Sequence, residues 1–75
     1  MPSLREQLAQ ARDHVSEVQH RIEDQIILID RLRLDGHDTQ AAERLLATFL
    51  DLMSKLSLHR EELEREAEER DRASP

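Results

Sequence analysis

The chain has no cysteine, tryptophan or tyrosine, and only one phenylalanine, one glycine and two prolines among 75 residues. Without cysteine there is no disulfide to staple a small fold, no thiolate metal site and no thiol redox chemistry. A single glycine leaves no Gly-rich loop to cradle a phosphate. With 1% aromatic residues there is no platform on which bases could stack. A basic surplus is missing too: 11 Lys and Arg stand against 17 Asp and Glu, for a formal net charge of −6. That balance argues against a nucleic-acid surface and against adsorption to anionic lipid. The longest uninterrupted apolar run, Ile26-Ile27-Leu28-Ile29, is far too short to cross a bilayer. The stretch Met1 to Glu6 carries no apolar core of a secretory signal, so the expected location is the cytoplasm.

What is abundant is helix-forming material. Leu, Ala, Glu, Arg and Gln dominate, and 37% of the residues are charged, the composition of long helices or coiled coil. A chain of this length buries a limited share of its surface and is marginal alone unless something staples it. Association, with itself or with another protein, is the staple left.

The only glycine divides the chain. Before it, Ser3 and Glu6 stand at capping-box spacing, where the Ser hydroxyl accepts from the Glu amide, and Pro2 sits just outside. Leu8, Ala11, Val15, Val18, Ile22, Gln25, Ile29 and Leu32 then recur in alternating steps of three and four, the spacing of a heptad seam. Gly36 can take the left-handed conformation that ends a helix, and Arg31 and Arg33 suit its C-terminal dipole. Asp38 or Thr39 caps the next helix. There the pattern resumes as Ala42, Leu45, Phe49, Leu52, Leu56, His59 and Leu63, followed by Glu66 and Arg70. Pivoting about His37 pairs every layer, from Leu32 with Ala42 to Ala11 with Leu63. The expected fold is all-α: an antiparallel two-helix hairpin over residues 1–75, with helix 1 at about 4–35, a turn at 36–38, helix 2 at about 39–71 and a disordered end at 72–75.

The seam leaves apolar residues over. Ile26, Ile27 and Leu28 on helix 1, and Leu46, Leu50 and Met53 on helix 2, read as one contiguous exposed patch. Packing this face against a second copy gives a four-helix bundle. The expected partners are a second copy of the chain and a helix of another protein, with neither nucleic acid nor membrane.

Nothing in the sequence points to catalysis. Its serines form no nucleophile turn, and its carboxylates lie along polar faces rather than paired in an apolar setting. No cofactor is expected. Four histidines are present, of which His14 and His59 fall near one seam layer; no His-Glu-x-x-His spacing links them. The alternative reading is therefore a four-helix bundle that holds a metal or small ligand through the seam polar residues His14, His59 and Gln25. Otherwise these residues form polar layers that set register.

The stretch from Leu32 to Thr39, with its Gly36-His37-Asp38-Thr39 turn, Ala42 to Leu46, Phe49, and Leu58-His59-Arg60 resembles a group of short bacterial helical-hairpin proteins of unknown function. The resemblance covers the middle half of the chain. It implies a recurring hairpin and brings no activity. In outline the arrangement is also similar to hairpin dimers of the plasmid copy-number regulator type, which bind RNA. The basic and aromatic face such binding needs is missing here, so only the architecture carries over.

Overall fold

The computed structural model describes residues 1–73, which form two helices: α1, Leu4–Leu34, and α2, Gln40–Ala73. They lie side by side in a rod of 63 × 20 × 15 Å. Among the described residues there is no other regular element.

Local chemistry sets each helix end. The Ser3 hydroxyl accepts from the Glu6 amide at 3.2 Å, and the Gln7 side chain donates to the Pro2 carbonyl at 3.1 Å. At the other end of α1, Gly36 adopts φ +74. The His37 amide reaches back to the Leu32 carbonyl (2.8 Å), and the Gly36 amide reaches the Arg33 carbonyl (3.1 Å). That bond pair is the Schellman arrangement, which satisfies carbonyls the helix end would leave bare. Both cap candidates of α2 take part. The Asp38 carboxylate accepts from the Gln40 amide at 2.9 Å, and the Thr39 carbonyl accepts the first helical bond, from Glu43.

The seam of α1 lies where its spacing puts it. Ala11, Val18, Gln25 and Ile29 are buried, and Leu4, Leu8, Val15, Ile22 and Leu32 are half-buried. The seam of α2 differs from the expected one. Ala42, Phe49, Leu56 and Leu63 face α1, but the residues between them come from the neighbouring flank: Leu46, Met53, Arg60 and Ala67 turn inward. Leu45 (45% exposed), Leu52 (41%) and His59, expected in the seam, lie outside it. The physical reason is in the cross-helix partners. The observed rotation of α2 swings Glu43 and Glu64 toward α1, where they meet Arg33 and Arg12. It also places Ala67 rather than Glu66 beside Leu8 at the open end.

The C-terminal end differs as well. Arg72 and Ala73, expected in a disordered end, continue α2, while Ser74 and Pro75 lie outside the described residues. Glu66 with Arg70 (3.0 Å) and Glu68 with Arg72 (3.7 Å) are i,i+4 pairs of the orientation that supports a helix. Helix 1 also ends at Leu34, one residue before its expected limit, because Asp35 has already left helical geometry at φ −85, ψ 0.

A Cβ on Gly36 would meet nothing within 4 Å, so its requirement for glycine is conformational and not steric. Gly36→Ala should lower the unfolding free energy by about 1 kcal/mol, and Gly36→Asn by less, as read by urea titration.

Candidate functional site

Packing leaves this chain without a true interior. Among the described residues no large side chain is less than 2% exposed, and the buried apolar set is Ala11, Val18, Ile29 and Leu63. In contrast, Ile26, Ile27, Leu28, Leu34, Leu45, Leu50, Leu52 and Leu58 are each more than 40% exposed. The functional surface has to be sought among these aliphatics.

They do not form the single patch expected. Consecutive helical residues turn by about 100°, so Ile26 and Leu28 stand about 200° apart and flank the seam on opposite sides. Ile27, between them, points away from α2. Ile26 shares a crevice with Ile29 and Leu46, rimmed by Asp30, Arg33 and Glu43. Leu50 follows one turn beyond Leu46, and Met53 stands one step nearer the seam, half-buried. These residues make the first flank. On the opposite flank Leu52 edges a groove with His14, Val18, Arg21 and Leu56. Leu45, seven residues before it, continues that stripe toward the turn, and Leu28 faces it from α1. The hairpin therefore carries two aliphatic flanks, both in the half nearer the turn. All of them lie at the same height along the hairpin, which is why they read as one patch, but they point to different sides of it.

Two polar residues stand out inside the seam. Gln25 is buried, and its Nε2 donates to the Ala42 carbonyl at 2.9 Å, bonding side chain to backbone across the hairpin. The Ala42 carbonyl also belongs to the first turn of α2, so the bond ties the middle of α1 to the start of its partner. Arg60 is the residue that sequence reasoning missed. It takes the layer assigned to His59, and its Nε is buried with no hydrogen-bond partner. Glu64 is nearby, 3.8 Å from that nitrogen and 3.5 Å from Arg12, so one carboxylate lies between two guanidinium groups on different helices. Each of these pairs is partly exposed and contributes little stability by itself. The signal that could have found Arg60 is its place at the observed three-and-four spacing between Leu56 and Leu63.

The histidines are not gathered. His59 is exposed, and the groove beside His14 is lined by neither His59 nor Gln25. Among the described residues, no group of three or more His, Asp or Glu side chains is placed to hold a metal ion. At the open end of the hairpin Leu4, Leu8 and Ala67 floor a trough of about 650 Å³ with Arg5, Arg12 and Arg70 around it. Ala67 is too small to fill the space opposite Leu8. The trough is open along its length, unlike a pocket that encloses a ligand. No helix among the described residues is long and apolar enough to cross a membrane.

The chain matches no protein-family model, no curated protein and no solved structure. Its surface is therefore read from geometry and chemistry.

Two substitutions test the seam. Gln25→Leu keeps the volume and removes a buried amide, while the Ala42 carbonyl retains its helical bond. The melting temperature should rise, and the amide spectrum by NMR should show more than one set of signals as the register pin is lost. Arg60→Met removes a buried nitrogen without a hydrogen-bond partner and should stabilise the chain by about 1 kcal/mol in urea titration.

Proposed function

We propose that this chain is a non-enzymatic interaction or regulatory module: an antiparallel hairpin that dimerises into a four-helix bundle and holds a helix of a partner protein. The observation that carries this reading is the pair of aliphatic flanks beside the seam. Exposed branched residues at helical spacing, in a chain with so small an interior, are the surface an association buries. The first flank, Ile26, Leu46, Leu50 and Met53, is the face for a second copy. Burying it gives each helix two neighbours instead of one, which is how bundles acquire a core. The opposite flank, Leu28, Leu45 and Leu52, then remains to take an amphipathic helix of a partner. An acidic exterior keeps such an assembly soluble and its contacts selective.

Sedimentation at micromolar concentration tests the first step. The 8.8 kDa chain should run as a dimer, and a well-folded monomer would overturn the reading. The double variant Ile26→Glu, Leu50→Glu should lose the dimer together with most of the helical circular-dichroism signal. Leu28→Glu, Leu52→Glu, on the other flank, should leave the dimer intact.

A further inference from the structure

The flank assigned to a second copy has an uneven charge pattern, and that pattern carries information about how two copies would meet. Three bands follow one another from the turn outward. Nearest the turn lie Asp30 and the Arg33–Glu43 ion pair, rimming the crevice of Ile26 and Leu46. The aliphatic band of Ile26, Leu46 and Leu50 follows. Beyond it the stripe continues through uncharged side chains, with Gln19 seven residues before Ile26 and Ser57 seven after Leu50, while Glu23, seven residues before Asp30, stands at its outer edge. Further out the surface is charged, beginning with Arg12 and Glu64. The distal end of α2 is strongly acidic. Residues 61–73 hold seven carboxylates against three arginines, a net −4 of the chain's −6.

Resting on the homodimer proposed above, we infer that its two copies lie antiparallel, turns at opposite ends, with the two-fold axis beside Ile26 and Leu50 and only the turn-proximal halves overlapping. A parallel dimer would set each band against itself. Two distal ends of net −4 would run side by side at the 8–10 Å spacing of packed helices, about one Debye length. The antiparallel arrangement separates these acidic ends. Ile26 lies about 16 Å and Leu50 about 20 Å from the turn at 1.5 Å per residue, so the axis falls about 18 Å along the rod. Reflection through that point sets the Arg33–Glu43 pair of one copy, about 6–9 Å from the turn, on the level of the other's Gln19 and Ser57, about 27–30 Å from it. The Arg33–Glu43 pair then meets neutral hydrogen-bonding side chains, and aliphatic band meets aliphatic band. The acidic ends project in opposite directions as unpaired two-helix arms.

Because the chain has no cysteine, one introduced cysteine gives one spin label per protomer. His37→Cys places it in the exposed turn, and Glu69→Cys on the exposed distal part of α2. Pulsed dipolar spectroscopy on each variant, with sedimentation on the same samples, reads the geometry. The staggered antiparallel dimer should give about 35 Å between turn labels and about 60 Å between distal labels. A dimer with both distances under about 25 Å is parallel and overturns the inference while leaving the dimer standing. Near-equal distances, both about 45–50 Å, mean full antiparallel overlap and overturn the stagger. Samples that sediment as monomers overturn the homodimer itself, and the inference with it.

Discussion

The reversal of direction at Gly36 is the constraint on which the rest of this molecule depends. A helix of 31 residues followed by one of 34 can cover each other's apolar stripes only if the chain turns back within a few residues. Gly36 does this in the left-handed region, where any residue with a Cβ is strained. The two back-reaching amide bonds of the turn close α1, and Asp38 opens α2 almost at once. An antiparallel pair follows from this, with facing residues set symmetrically about His37. What the turn does not set is the rotation of α2 about its own axis.

That rotation is where sequence reading and structure part. The stripe of α1 was legible because, outside the run Ile26-Ile27-Leu28-Ile29, its apolar residues are separated by polar ones and mark one face. On α2 the positions come in adjacent pairs, Leu45 beside Leu46 and Leu52 beside Met53, and either member continues the three-and-four spacing. At the next step the choice is His59 or Arg60, both polar. A pattern within one helix cannot decide between such flanks. The contacts made at the observed rotation lie between helices: Gln25 on the Ala42 carbonyl, Arg33 on Glu43 and Arg12 on Glu64. Ile26, Ile27 and Leu28 point all round α1, and only the position of α2 divides them into two flanks and an outer face. The capping serine and the glycine stop, by contrast, act over three to five residues and were readable without a partner helix.

The seam also shows how little of this surface is spare. Helix 2 turns an arginine inward at position 60 and small alanines at 42 and 67, while it leaves Leu45, Leu50, Leu52 and Leu58 outside. A hairpin optimised to stand alone would do the opposite. Aliphatic residues held outside a weak seam are consistent with a unit whose core is completed by other helices, which is the physical basis of the association proposed for it.

A single turn with every cross-helix contact nested about it has a consequence for how the chain assembles. Leu32 and Ala42 close a loop of about ten residues, whereas Leu8 and Ala67 close one of nearly sixty. Made independently, the outer contact costs about 1.5 kcal/mol more in loop entropy than the inner one. Made after the inner layers, it costs little, since the ends are already held together. The cheapest route is therefore a zipper that starts at the turn and runs outward, and the cheapest opening runs back the same way. The distal layers, where Ala67 leaves a trough beside Leu8, are the first to part and the last to close.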